Sequence, residues 1–559
     1  MSEEEIRSTI AEARTPTHAE LPEHERATVS LTAAKAARRH AARAERDPDL
    51  PDIRVTDGEL PRVVDEAETA LLKSGQGLYQ RGGMLVRPYI ERVPCAAGSM
   101  TLSYRMSRPS IPHLRECMTR SANFLQFDAR SSDYVLRDCP RDIAEAYAAR
   151  EGQWKVPPLR AVITAPTLRP DGSLLNVPGY DAHTALLFDP CAQSFPAVSG
   201  TPTRDDALAA IRYLRELIAS YPFVDPQSEA VALSGILTAT VRRTIGTAPM
   251  HAITSPVPGS GKTHLVDVIC SIATGQRASV ISQSRLEEET EKRIAAAIIA
   301  GDPFISLDNC TAPVGGSLLC VAVTQEAVRI RILGQSFNAD VPSNAMIFAT
   351  GNNLQIGDDM ARRTLMCALD PQLERPELRE FENDPLTRAT AQRPRYIAAA
   401  LLILRAFHFA GRPARAPQLG SFSEWSSLVR NALLWLDQAD PAETMERARE
   451  ADAKLRALGA VMDQWEQIPV LMERRKKVSE IIAVASEEEG MPGGLRFRYP
   501  DFRDALMAVA GEGNSGVNSR RLGKWLAANR DRVCNGRRIV ADGTHAGIVL
   551  WKLELVESP

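Results

Sequence analysis

Apolar and polar positions along the chain change period several times, and the changes divide it. Between residues 248 and about 370, short apolar runs alternate with helical stretches. Met250-His251-Ala252-Ile253-Thr254, Pro303-Phe304-Ile305-Ser306-Leu307-Asp308 and Ala345-Met346-Ile347-Phe348-Ala349-Thr350 read as buried strands. Such alternation predicts a parallel α/β sheet. Upstream, Thr203 and Asp206 form a capping-box pattern that opens an amphipathic helix to about Ser220, and a second helix is predicted from about Gln227 to Thr244. Residues 59 to about 200 read as α+β. Leu78–Val86 alternates around Gly82-Gly83, and Pro166–Pro190 is sheet-like with turns at Asp171-Gly172 and Pro178-Gly179. From 394 to about 470 the pattern is helical and rich in Leu, Ala and Trp. Near the end, Tyr499-Pro500-Asp501 opens one helix, Asn518–Leu526 begins another, and Arg537–Val540 and Ile548–Leu553 flank a turn. Helix, helix and hairpin predict a winged-helix-like domain. In the polar, alanine-rich start, Thr28–Arg46 is a predicted helix with Lys35, Arg38, Arg39 and Arg43 on one face, either solvated or touching nucleic acid. The expected divisions are 1–58 (polar N-terminal segment), 59–200 (α+β accessory domain), 201–247 (helical lead-in), 248–392 (P-loop core), 393–470 (helical subdomain) and 471–559 (winged-helix-like domain).

Composition narrows the function classes. With 559 residues the chain should hold several domains at about 150 residues each. No apolar run approaches the roughly 18 residues that span a bilayer, so no membrane role is expected. The start, Met1-Ser2-Glu3-Glu4-Glu5, is acidic and lacks an apolar signal core. Nine cysteines without a C-x-x-C pair suggest reduced thiols and a cytoplasmic setting. A net charge of −3 gives no global basic field, so any nucleic-acid binding must come from local patches or from a pore shared by several subunits.

The chemistry concentrates in the α/β segment. Ser255-Pro256-Val257-Pro258-Gly259-Ser260-Gly261-Lys262-Thr263 matches a phosphate-binding loop of Walker A type, except that Pro256 stands where the pattern has glycine. Gly259 and Gly261 give tight curvature, Lys262 supplies charge and Thr263 a metal-binding hydroxyl. Pro258, Ser260 and His264 complete the expected nucleotide contacts. The helix that follows offers its N-terminus to an anion. Asp308 ends an apolar strand 46 residues after Lys262, a Walker B position, and would hold Mg²⁺ with Thr263. The next residue is Asn309, which positions water but takes no proton. Glu287, Glu288, Glu289 and Glu291 are alternative bases, or simply the acidic first turn of a helix. Asn352 follows the third strand, where open α/β sheets bind ligand. Arg362 and Arg363 are either an arginine finger for a neighbouring subunit or surface ion-pair partners. Arg329 and Arg331 alternate with Val328, Ile330 and Ile332, giving one cationic and one apolar strand face ahead of Gln335.

These elements resemble the AAA+ ATPases, especially superfamily 3-type helicases and the helicase halves of phage, plasmid and integrative-element primase-helicases. Pro256–Thr263, Ile305–Asn309, Ala349–Leu354 and Gly357–Arg363 carry the resemblance, with Leu369-Asp370, Glu374–Glu377, Ser421–Arg430 and Trp435-Leu436. The resemblance implies Walker A roles for Lys262 and Thr263, Walker B for Asp308, sensor 1 for Asn352 and the finger for Arg362 or Arg363. It implies ATP and Mg²⁺ as substrate and cofactor and a homo-oligomeric, hexameric ring. Single-stranded DNA would pass through a pore lined by Arg329, Arg331 and Gln335. At the C-terminal domain, Arg520, Arg521 and Lys524 would face duplex DNA, with Arg537 and Arg538 near the wing, or the winged helix would bind protein instead. The expected function is an ATP-dependent helicase or translocase of a mobile genetic element, a motor without a primase. Asn309 favours a second reading, an ATP-gated assembly or defence switch that hydrolyses slowly.

Overall fold

A computed structural model describes residues 46–94, 100–284, 286–332, 338–373, 384–491, 494–512, 516–545 and 547–556. The basic helix expected before Arg46, Gln335, and the Glu374–Glu377 stretch lie outside these residues. The chain forms two compact units. One comprises residues up to Arg87 together with Arg108–Pro157, and the other Pro88–Ser107 together with Pro158–Pro559. The expected 59–200 span is therefore shared between both.

In the first unit Asp52–Val55 runs parallel to Asn123–Asp128, which pairs antiparallel with Asp133–Arg137. Helices Leu60–Ser74, Ile111–Ser121 and Arg141–Ala148 bury an apolar stripe around Ile53, Leu71, Leu114, Met118, Phe124 and Tyr147. A hairpin turns at Gly82-Gly83, joining Tyr79–Arg81 to Met84–Pro94.

The second unit is built on a five-stranded parallel sheet. Its elements are β1 (Met250–Ser255), α1 (Lys262–Thr274), β2 (Val280–Ser282), α2 (Glu287–Ala300), β3 (Phe304–Asp308), β4 (Ala327–Arg331), β5 (Asn338–Pro342), β6 (Met346–Asn352) and β7 (Thr364–Ala368). Strand order across the sheet is β2-β3-β6-β1-β7, all parallel. The strands read as continuous apolar runs because helices cover both faces, the usual state of a parallel sheet. Chain order doubles back across this sheet, so the carboxyl ends of β1, β3 and β6 lie side by side, which is where open α/β sheets place their ligands.

Two helices precede β1. Arg204–Ile218 begins with a full capping box between Thr203 and Asp206. Pro226–Val241 is apolar on every side and almost wholly buried, as a helix at the centre of a large unit must be. Arg393–Phe409 packs beside the first of these. Its Arg393 guanidinium is buried and holds the last carbonyls of α1, Ile272 O at 3.0 Å and Ala273 O at 2.8 Å.

A 24-residue helix, α3 (Glu443–Glu466), then leaves the sheet. Its first turns lie on β7, where Thr444 Oγ1 accepts a hydrogen bond from the Met366 amide at 3.0 Å. Its last turns bury Leu458, Val461, Met462 and Trp465 in a separate apolar core. That core also contains α4 (Val478–Ala485), α5 (Pro500–Ala510), α6 (Ser519–Ala528) and the hairpin β8 (Arg537–His545) with β9 (Ile548–Leu555). A short hairpin, Glu488–Met491 with Gly494–Phe497, intervenes between α4 and α5. The sequence pattern did not announce it, since Glu488-Glu489-Gly490-Met491 carries no apolar alternation and its partner Gly494–Phe497 is only four residues long.

Candidate nucleotide-binding site

The loop Pro256–Gly261 leaves β1 and turns into α1 with Gly259 at φ 70° and Gly261 at φ 91°. A side chain at Gly261 would be strained at that φ and would meet the Tyr221 ring at 3.4 Å. Pro256, the departure from the motif, is exposed at the start of the turn, where its fixed φ is tolerated. The Lys262 side chain folds back over the loop. Its ammonium donates to Val257 O at 3.1 Å, Ser260 Oγ at 3.0 Å and Asn352 Oδ1 at 2.7 Å. Burial holds the Lys262 pKa below the ordinary lysine value, and the nearby Asp308 carboxylate opposes that shift. All three partners are neutral, and Lys262 makes no ion pair among the described residues.

Asp308 faces the start of α1 from the end of β3. Its Oδ1 accepts from Thr263 Oγ1 at 2.7 Å and from Thr350 Oγ1 at 2.6 Å. Thr350 is a residue that sequence reasoning passed over. It also accepts the Asn309 amide at 3.1 Å, so one hydroxyl fixes both the carboxylate and the turn after it. Asn309 sits at φ 52°, a conformation asparagine tolerates better than glutamate would. Gly351 makes this close packing possible, since a Cβ there would lie 2.7 Å from the Cys310 carbonyl oxygen.

The donor chemistry fits a magnesium-bound polyphosphate. Thr263 and Asp308 offer the hard oxygen ligands that Mg²⁺ prefers. A buried ammonium satisfied only by neutral groups, above a helix N-terminus, suits a phosphate anion.

The His264 imidazole is held by side chains on both edges. Its Nδ1 meets the Tyr221 hydroxyl at 2.6 Å and its Nε2 meets Asp384 Oδ1 at 2.9 Å, so both ring nitrogens are already engaged. Burial lowers its pKa, with Asp384 acting against that. Three of the four acidic side chains of the α2 turn are also committed. Glu291 caps the helix Ser317–Thr324 by accepting from the Leu318 amide at 2.9 Å, and Glu288 and Glu289 pair with Lys292.

The paired arginines separate. Arg362 is half-exposed and pairs with Asp359 at 3.0 Å. Arg363 is mostly buried, donates to the Asp359 carbonyl at 2.7 Å, and keeps a buried Nε without a partner among the described residues. On the β4–β5 hairpin, Val328 and Ile330 are buried while Arg329 and Arg331 are exposed, the expected alternation. Arg329 is held by Asp340 directly across the ladder, at 2.9 and 3.1 Å. Arg520, Arg521 and Lys524 are exposed on α6, with Arg521 donating to Gly511 O at 2.8 Å. Arg537 pairs with Asp463 and with Glu466 at 2.7 Å, and Arg538 with Glu554 at 3.0 Å, so these two are neutralised within the domain. An apolar cavity of about 250 Å³ lies at the other end of α1 and β3, against Ala273, Thr274, Pro303 and Phe304, away from the phosphate loop. No described helix is long and apolar enough to cross a membrane.

No protein-family model matches the chain, and no curated protein sequence matches it. Among solved structures it is similar to the A-form apo structure of the NrS-1 C-terminal region, at 11% identity over 88% of this chain and 98% of that one, with a TM-score of 0.32. It is also similar to the apo NrS-1 C-terminal region 305–718 (13% identity, 59% and 67% coverage, TM-score 0.30) and to JCV helicase (12% identity, 42% and 67% coverage, TM-score 0.18). These likenesses are too slight to transfer an activity, and the geometry around Lys262 and Asp308 stands by itself.

Proposed function

We propose that this chain is an ATP-dependent DNA helicase or translocase of AAA+ type, serving the replication of a mobile genetic element as a homo-oligomeric, hexameric ring. One observation carries the reading: Lys262, Thr263, Asp308 and Asn352 converge from α1, β3 and β6 at the carboxyl edge of a parallel sheet, within 2.7 Å of one another in pairs. In this reading the loop amides and Lys262 bind the phosphates of ATP, and Asn352 holds Lys262 in place beside the terminal phosphate. Thr263 and Asp308 would hold Mg²⁺, which when bound neutralises phosphate charge. Thr350 orients Asp308. Arg362, exposed where Arg363 is not, reaches the site of an adjacent subunit, and such an arginine is worth roughly 10³- to 10⁵-fold in turnover. Arg329 and Arg331 contact the phosphates of single-stranded DNA without reading sequence. The C-terminal domain is of winged-helix type, with Arg520, Arg521 and Lys524 toward duplex DNA.

A second reading draws on Asn309. No carboxylate follows Asp308, and Glu288, Glu289 and Glu291 are engaged elsewhere, which favours a nucleotide-gated assembly switch that hydrolyses slowly. Strand displacement on a forked DNA substrate separates the two, with Lys262→Ala as the control. ATP-dependent unwinding that Lys262→Ala abolishes supports the motor. Nucleotide-dependent oligomers that never unwind support the switch.

A further inference from the structure

Four consecutive cations, Arg474-Arg475-Lys476-Lys477, precede α4 and belong to none of the sites above. The structure lays them along the hairpin: the Lys476 amide donates to Trp551 O and the Trp551 amide to Lys476 O, each at 2.8 Å. The segment thus meets β9 at a single bridge residue, Lys476 opposite Trp551. With His545 and Lys552 of that hairpin, Arg474, Arg475 and Lys477 line an open cleft of about 550 Å³. The segment leads directly into α4, and its first residue Val478 faces Gly523 of α6, where an added Cβ would sit 3.8 Å away. Arg520 and Lys524 flank Gly523 on that exposed helix.

We infer that Arg474, Arg475, Lys477 and Lys552 form a backbone-tracking surface that grips the phosphates of duplex DNA beside α6. The inference rests on the DNA-motor reading above. Three carboxylates, Glu473, Glu480 and Asp542, border the cleft beside its four cations, and Lys552 also pairs with Glu554 at 3.5 Å, so Arg474 and Lys477 carry the uncommitted charge. Asp542 approaches Arg475 at only 3.6 Å, Glu480 accepts the Lys477 main-chain amide at 2.7 Å, and Glu473 is exposed. Arg474 and Lys477 form no ion pair among the described residues. Like charges on consecutive residues repel one another, and a polyanion laid beside them removes that repulsion while releasing its own counterions.

The test uses the full chain and fluorescein-labelled DNA, blunt duplex or single strand of the same sequence, with binding followed by anisotropy over a salt series. Wild-type protein should bind duplex with a steep salt slope. Combining Arg474→Ala, Arg475→Ala and Lys477→Ala should lower the slope of log affinity against log salt by about 2.7, at about 0.9 per lost phosphate contact. The pair Arg474→Lys and Arg475→Lys should keep the slope, since charge and not shape is at work. Duplex binding with an unchanged slope in the triple alanine variant overturns the surface and leaves the motor reading intact. So does a slope change confined to the single strand. Aggregation or altered subunit number with an unchanged slope also overturns it, and assigns the cations to guarding an edge strand. Failure of the wild-type protein to bind either DNA overturns the motor reading itself, and the surface with it.

Discussion

Replacing Thr350 by valine tests whether Asp308 needs the clamp seen around it. The change keeps the shape of the side chain and removes one hydroxyl, which is fully buried. Two hydrogen bonds go: the 2.6 Å donation to Asp308 and the 3.1 Å acceptance of the Asn309 amide. A hydrogen bond to a charged group is worth about 1.5–3 kcal/mol. Thr263 still donates to Asp308, so the carboxylate is loosened and not abandoned. If that energy is expressed in the transition state, kcat/KM for ATP should fall by about 10- to 150-fold. Lys262 and the loop are untouched, so affinity for a fluorescent ATP analogue should change by less than about 3-fold, far below the 1.4 kcal/mol that marks a tenfold change. Phosphate-release kinetics and analogue titration read the two quantities separately. Thr350→Ser restores the hydroxyl and should recover most of the turnover. Wild-type turnover in Thr350→Val, or equal loss in the serine variant, would show that the hydroxyl does not order the Asp308 carboxylate.

The two arginines of the turn before β7 should behave oppositely. Arg362→Ala should lose about 10³-fold in ATP turnover with an unmoved melting temperature, whereas Arg363→Ala should melt earlier because its internal contacts are lost; the reverse pattern would reassign the finger. Asp267, on the buried face of α1 and accepting from the Ala278 amide, has its pKa raised by burial from 3.8 to about 6. A raised carboxylate pKa means the folded state holds its proton longer, so stability is fully present below pH 4 and is lost as pH rises through about 6. Asp267→Asn should therefore be stabilising near pH 7.5 by up to about 3 kcal/mol, from about two pKa units, and neutral below pH 4. A melting-temperature difference that does not shrink between pH 7 and pH 4 would refute this. Asp340→Asn should free Arg329 and tighten single-strand binding modestly, as suits an exposed, solvent-screened pair; weaker binding would argue that Asp340 presents the arginine usefully.

The sequence disclosed what depends on neighbours along the chain. The strand, glycine loop and helix around Lys262, the carboxylate ending β3 and the amide ending β6 all follow from local period and turn chemistry. What it withheld depends on strand order. Thr350 reads as one more β-branched residue until β3 and β6 are adjacent. His264 reads as a loop residue until Tyr221 and Asp384, 43 and 120 positions away, close on its two nitrogens. Arg362 and Arg363 look equivalent in a string, and only the short 3₁₀ turn Asp358–Arg363 sends one outward and the other inward. Alternation made Arg329 look available, and the antiparallel register supplied Asp340 opposite it.

The unbroken helix α3 gives the C-terminal domain a stiff boom. At about 1.5 Å per residue its 24 residues reach about 36 Å. One end is fastened to β7 and to the turn that carries Arg362, the other is built into the core beneath α6 and the β8–β9 hairpin. A swing of about 10° at the fastened end displaces the far end by about 6 Å, more than one turn of the helix itself at its 5.4 Å pitch. Any tilt at the β7 end would thereby reach the C-terminal domain undiminished, with no break in the helix along the way.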